Sequence, residues 1–227
     1  MRELTLTEYD DYDLAVTDQH FGGNALYTRN TDDGVPNPDY IDSANNLDIN
    51  YIRYPAGQPD VAYLDGVIVN GYLPDHLVNF LEAARANQDR VLIVTPTHAA
   101  YTNAEEIGEL AYFVARDYPD VVHAFEIGNE YWNHQDELSY GEVANDSITE
   151  IAERLSSLGE EIPIWIQMGD AAGWESLFHS RVDDRGWLTR TIEANEAIIG
   201  QLSPEALAAI DGVVEHFYMR GGDQYLP

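Results

Sequence analysis

The sequence predicts an α/β protein built on a parallel (β/α)8 barrel of the TIM type, present here as about six of the eight βα units. Three observations predict it. Apolar, strand-like runs alternate with amphipathic helical stripes along the chain. No G-x-G-x-x-G turn follows the first strand, which counts against a doubly wound nucleotide fold. Polar and aromatic residues gather where several different strands end, and a barrel collects those ends on one face. No break in composition divides the chain, so residues 1–227 read as one domain.

The elements follow in order. Leu14 to Val16 opens the first strand, which runs toward Phe21 and Gly22. "NTDDGVPNPD" (30–39) misses the spacing of an EF-hand loop and reads as a polar loop of turn formers, with no antiparallel strands expected. Ile49 to Tyr54 is the second strand, bounded by Pro55. Leu77, Phe80, Leu81 and Ala84 fall at i, i+3, i+4 and i+7 and predict a helix. "RVLIVTPTH" (90–98) is a continuous apolar run closed by proline, as expected of a strand buried on both faces. Ile107, Leu110, Ala111 and Val114 mark the next helix, "VVHAFEIGNE" (121–130) the fourth strand, and Ile148, Ile151, Ala152 and Leu155 another helix. "PIWIQMGD" (163–170) is the fifth strand, Leu188, Ile192 and Ile199 mark a further helix, and "GVVEHFYM" (212–219) is the sixth strand. A complete barrel has eight strands, so the first and sixth would lack partners. Either the sequence is part of a longer protein, or something else closes the barrel.

Composition bounds the function. At 44% hydrophobic residues the chain can bury a sizeable core. A net charge of −30, with all 11 basic residues arginine, would repel phosphate backbones and anionic membranes, so neither nucleic acid nor membrane is an expected partner. The acidity reads as a solvated surface suited to salty or Ca²⁺-containing surroundings. Lacking lysine, the chain has no Schiff-base chemistry and no P-loop lysine; lacking cysteine, it has no disulfides, thiolate catalysis or cysteine-ligated zinc. H-E-x-x-H and G-x-S-x-G are both missing. No catalytic metal or cofactor is expected, a structural Ca²⁺ being the one ion the acidity allows. No apolar run reaches the ~18–20 residues of a membrane span, and Met1 to Asp13 shows no classical signal peptide.

The strand ends carry the chemistry: "HFGGNALY" (20–27), "YIRYPAGQ" (51–58), "TPTHAAY" (95–101), "AFEIGNEYW" (124–132), "QMGDAAGW" (167–174) and "EHFYMRGG" (215–222). Aromatic rings beside hydrogen-bonding groups suit a carbohydrate, whose C–H faces pack on rings while its hydroxyls take polar partners. The set resembles the clan of retaining (β/α)8-barrel glycoside hydrolases, closest to the α-L-arabinofuranosidase, β-xylosidase and heparanase-like families. "EIGNE" (126–130) resembles the Asn-Glu motif of the fourth strand. "IRYPAG" (52–57) resembles an Arg-x-Pro-Gly-Gly segment with Ala56 in place of the first glycine. "FGGN" (21–24) is similar to the turn after the first strand, and "HFY" (216–218) to the His-x-Tyr of the sixth.

The resemblance implies a retaining glycoside hydrolase acting on a polysaccharide or oligosaccharide, outside the cell. Glu130 would be the general acid/base, with a pKa raised by a semi-buried site near another carboxylate. Asn129 would bind the sugar 2-hydroxyl, Arg53 would hold the nucleophile carboxylate ionised, and His216 and Tyr218 would orient nucleophile or substrate. Asn24, His98, Trp132 and Trp174 complete the expected substrate-binding set. The nucleophile, a glutamate on a seventh strand, is expected beyond this chain, so the isolated chain is expected to be inactive. Plainer readings stand beside these: Glu130 as a helix-start carboxylate, Arg53 as a structural ion pair, His98 and His216 as satisfied core histidines, Trp132 and Trp174 as rim packing. Glu126, within the strand, reads as a barrel-interior ion pair. Glu215 should point away from the site if His216 faces it. The alternative function is a non-catalytic carbohydrate-binding or structural barrel module of a larger acidic secreted protein. The partners implied are the carbohydrate and the remaining barrel strands or further domains.

Overall fold

The computed structural model of the chain describes residues 22–98 and 102–216. The first strand, β1, is seen as Gly22–Asn24 and is followed by the short helix α1 (Tyr27–Asn30). A small hairpin comes next, β2 (Thr31–Asp32) and β3 (Val35–Pro36). Helix α2 (Pro38–Asn46) then leads into β4 (Tyr51–Tyr54), α3 (Pro59–Ala62) and α4 (Asp75–Asn87). The remainder is β5 (Arg90–Thr95), α5 (Ala104–Asp117), β6 (Val122–Ile127), α6 (Glu137–Leu158), β7 (Ile164–Gln167), α7 (Trp187–Ile199), α8 (Pro204–Ala209) and β8 (Gly212–Val214).

Six strands form one curled parallel sheet in the order β1-β4-β5-β6-β7-β8, a half-barrel in shape. The order follows the chain without reversal, and right-handed crossovers then place the connecting helices on one side. An open doubly wound sheet, with helices on both faces, is therefore not what these residues form. On the outer side, Val91, Ile93, Phe125, Ile127, Ile164 and Ile166 are buried together with Leu77, Phe80, Leu81, Ile107, Leu110, Val114, Ile148 and Ile151. The alternation along each strand sends the intervening residues to the concave side. Helix ends are capped as the residue types require: Asn37, Asn103, Asp136 and Ser203 accept backbone N–H bonds at the starts of α2, α5, α6 and α8. Gly159 closes α6 in a left-handed conformation.

Two expectations change. The segment expected to be only a polar loop folds into the β2–β3 hairpin, because Asp33 (φ 47°) and Gly34 (φ 80°) both take positive φ, which a two-residue hairpin turn needs. Gly34 also lies so close to the His76 carbonyl that no side chain fits there. In α7 the helix is where the sequence places it, but Leu188 and Ile192 are exposed, at 65% and 49%, and Ile199 is exposed as well. The buried face is Arg190, Ala194 and Ile198. Small residues decide this: Ala194 comes so near Gly169 that a Cβ there would lie 3.2 Å from the Ala194 methyl. The strand start at Leu14 to Val16 lies outside the described residues, and of the sixth strand only β8 and the two residues after it are described.

Candidate active site

β6 ends in a tight turn rather than running on into helix. Gly128 has φ 82°, and a side chain there would collide with Thr97. Two residues later Glu130 takes φ 46°, a left-handed conformation that a non-glycine residue adopts only when its surroundings hold it. The surroundings do so from both sides. The Glu130 N–H donates to Gln167 Oε1 at the end of β7, and the Glu130 carbonyl accepts the Asn133 N–H at 3.0 Å. A 3₁₀ turn over Tyr131–Asn133 follows, so Tyr131 and Trp132 fold back into the protein.

The Glu130 carboxylate is partly open, and its two oxygens are both engaged. Oε1 lies 3.2 Å from His216 Nδ1, just after β8, and Oε2 accepts from Asn133 Nδ2 at 3.2 Å. The His216 bond holds the carboxyl below its ordinary pKa; burial opposes this, while Asn133 and the Arg53 charge reinforce it. That reverses the upward shift expected for an acid/base. The reason is that its neighbour is a histidine, and the nearest carboxylate in the strand, Glu126, is neutralised by an arginine.

Glu126 is fully buried and points to the concave side. Arg53 on β4 reaches across β5 to meet it with two bonds of 2.6 Å, and the same guanidinium donates to Asn129 Oδ1 at 2.9 Å. The fork geometry suits a carboxylate, and burial makes it strong. Among the described residues Arg53 is bound to Glu126 and Asn129. Glu126 is the interior ion pair that the strand position implied.

Asn129 also sits over Gly57, whose missing side chain leaves room for it. Gly57 follows Ala56, which has φ 57°. The alanine standing in a Gly-Gly-like position therefore adopts the backbone conformation that glycine favours.

The other expected residues divide. His98 stacks on His134, ring centroids 5.1 Å apart, and His134 Nδ1 is 4.0 Å from Asp60 Oδ2. Burial pushes the His134 pKa down, against the pull of Asp60. Trp132 is buried, at 5% exposure, packed on Gly173 and edge-on to His216 at 6.0 Å, so it supports the site from beneath and offers no open face for sugar stacking. Trp174 is exposed on the loop after β7, stacked on His179 with Arg181 over it. Asn24 ends β1 beside Arg53 and is exposed. Glu215 is exposed, whereas His216 turns to Glu130. Tyr218 lies outside the described residues.

Sequence reasoning missed Gln167, Asn133, Asp60 and His134. Gln167 alone carried a signal: an amide at the inward-facing end of an otherwise apolar strand. Below the ion pair, a cleft of about 260 Å³ opens on the concave face, lined by Tyr51, Arg53, Leu92, His123 and Trp165 with the backbone of Gly22 and Gly23. Its lining lies lower on the strands than Glu130 and does not include it. Among the described residues no group of three or more His, Asp or Glu is placed to hold a metal ion, and no helix is long and apolar enough to cross a membrane. No protein-family model, curated protein or solved structure matches the chain.

Proposed function

We propose that this chain is the acid/base-bearing part of a retaining glycoside hydrolase with a (β/α)8 barrel, acting on a polysaccharide or oligosaccharide outside the cell. One observation carries the reading. Four different strands deliver Arg53, Asn129, Glu130, Gln167 and His216 to a single cluster at their C-terminal ends, with Glu130 held in a strained backbone and its carboxylate facing His216. That end of a parallel barrel sheet is where barrel enzymes place their chemistry. The left-handed Ala56 and the Gly57–Asn129 contact add local support to the resemblance at "IRYPAG".

In this reading Glu130 protonates the departing glycosidic oxygen and later takes a proton from water. Asn129, oriented by Arg53, hydrogen-bonds the sugar 2-hydroxyl. The nucleophile is a glutamate supplied by a further strand of the barrel. Its charge at about 5–5.5 Å from Glu130 would offset the His216 effect and raise the Glu130 pKa toward the working range. His98 and Trp174 lie on the rim as contacts for more distant sugar units.

The test is Glu130→Gln in the full-length protein, assayed on 4-nitrophenyl arabinofuranoside and xyloside and on an unactivated oligosaccharide. It should lower kcat by roughly 10² to 10⁴ on the unactivated substrate and less on the activated ones, which need little protonation. Unchanged turnover would end the proposal. The downward shift at Glu130 favours one second reading, a non-catalytic carbohydrate-binding barrel. Oligosaccharide binding by a full-length protein that shows no turnover would select it.

A further inference from the structure

The least expected group in the cluster is Gln167. It is fully buried at the end of β7, in a sheet position where Ile164 and Ile166 face the helices and Gln167 faces inward. Its own N–H donates to the Tyr140 hydroxyl at 3.1 Å, and that hydroxyl donates to the Ile127 carbonyl at 2.7 Å. Tyr140 lies on α6 and stacks on Tyr131, with centroids 4.0 Å apart. Gln167 is thus clamped through its backbone to the end of β6. Its side-chain oxygen faces the Glu130 N–H, which fixes the amide orientation: a flipped amide would set two donors against each other. The amide nitrogen then has no acceptor among the described residues.

A buried amide satisfied on one side only carries a cost of its own, since its nitrogen is a donor held away from water with no acceptor among the described residues. What the amide does provide is an acceptor for the one backbone donor that must be held if Glu130 is to stay left-handed. Released from it, the Glu130 peptide can relax toward the ordinary right-handed region, and relaxation about that bond swings the side chain away from His216.

We infer that Gln167 is the positioning residue of this site: by accepting the Glu130 N–H it locks the left-handed turn after β6 and aims the Glu130 carboxylate at His216. The inference deepens the glycosidase reading and rests on it for its catalytic meaning, while the positioning itself can be read without any turnover. Among the described residues His216, Asn133 and Arg53 face the Glu130 carboxylate, so its titration is sensitive to their arrangement.

The experiment compares the native protein with Gln167→Met, which keeps length without the acceptor, and Gln167→Glu, which keeps an oxygen at the same place. Amide hydrogen exchange is followed by NMR at Glu130 and Asn133, with Phe125 and Ile127 as internal references. The Glu130 carboxyl is titrated by its ¹³C shift. In Gln167→Met, Glu130 and Asn133 should exchange about tenfold faster, the scale of one lost hydrogen bond, with Phe125 and Ile127 unchanged. The Glu130 carboxyl should titrate higher, closer to an ordinary glutamate. Gln167→Glu should keep the amide protection. Equal Glu130 protection in the native and Gln167→Met proteins, or identical carboxyl titrations, overturns the inference. Where Gln167→Met does not fold, an unprotected Glu130 amide in the native protein, or its loss in Gln167→Glu, overturns it equally. In an active full-length enzyme, Gln167→Met should lower kcat by up to about 10²-fold with KM little changed. An inactive full-length protein with the expected amide pattern sinks the glycosidase reading and leaves the assignment of Gln167 standing. An active one without that pattern does the reverse.

Discussion

The two faces of the sheet are made from alternate residues of the same strands, yet they are held by different physics. On the outer face, Val91, Ile93, Phe125, Ile127, Ile164 and Ile166 meet the helices with almost no exposed surface. On the concave face, Tyr51, Leu92, His123 and Trp165 surround a cleft of about 260 Å³, with the Arg53–Glu126 pair above it. Side-chain polarity does not say which face is drier. Glu126 is completely buried, while Val213 on β8 is 63% exposed. The outer face is specified by shape, and its contacts are numerous and interchangeable. The inner face is specified by a few directed bonds, each with one irreplaceable partner.

That contrast can be broken most forcefully at Arg53. Arg53→Met leaves Glu126 buried without its cation and should destabilise the protein by about 3–5 kcal/mol in urea unfolding. Arg53→Met combined with Glu126→Leu should recover most of the loss, because the penalty belongs to the stranded charge. A single variant within ~1 kcal/mol of the native protein would show that the inner face does not depend on the pair.

On the outer face, Leu110→Ala should cost about 3 kcal/mol through transfer and cavity effects, yet leave the Glu130 carboxyl titration unchanged. A shift at Glu130 would show that the two faces are coupled.

Acid sharpens the comparison further. His76, on the outer side against the Tyr54 hydroxyl at 3.0 Å, is pushed down to about 4 by burial from an ordinary 6.5. The folded protein keeps it neutral while the unfolded chain binds the proton first. Stability should therefore fall between pH 6.5 and pH 4, by on the order of 3 kcal/mol at the lower end. His76→Phe should flatten that slope in unfolding curves taken across the interval.

Glu130 should contribute a smaller effect at lower pH. Its folded pKa lies below its ordinary 4.5, so its stabilisation is present above that value and is lost as pH falls through the folded one. Glu130→Gln should remove this acid limb without altering the His76 limb. An unchanged limb below pH 4.5 would place the titration elsewhere.

Much of this architecture was legible in the residues. The period of Leu77, Phe80, Leu81 and Ala84 and the runs at 90–98 and 121–130 mark elements that are formed, because long apolar patterns have few alternatives. The cluster of Arg53, Asn129, Glu130 and His216 was legible because strand ends in a parallel sheet must converge. The hairpin was less visible, since its strands have two residues each and its only signal is Asp33-Gly34. The buried face of α7 was not legible: the helix carries two apolar stripes, and a close approach to Gly169 chooses between them. The state of Glu130 was also hidden. It depends on a contact with His216, 86 residues away, which no local pattern encodes.

The unreversed strand order has a consequence for how the chain comes to exist. Each strand of the large sheet bonds only to the one before it and the one after it in that order. A growing polypeptide leaving the ribosome can therefore lay down β4 on β1, then β5, β6 and β7 in turn, each addition finding its template already made. Among the described strands no early one has to wait for a late one to be inserted between it and its neighbour. Assembly of this kind is vectorial, and the Gln167–Glu130 lock is among its last steps, closing only when β7 arrives beside β6.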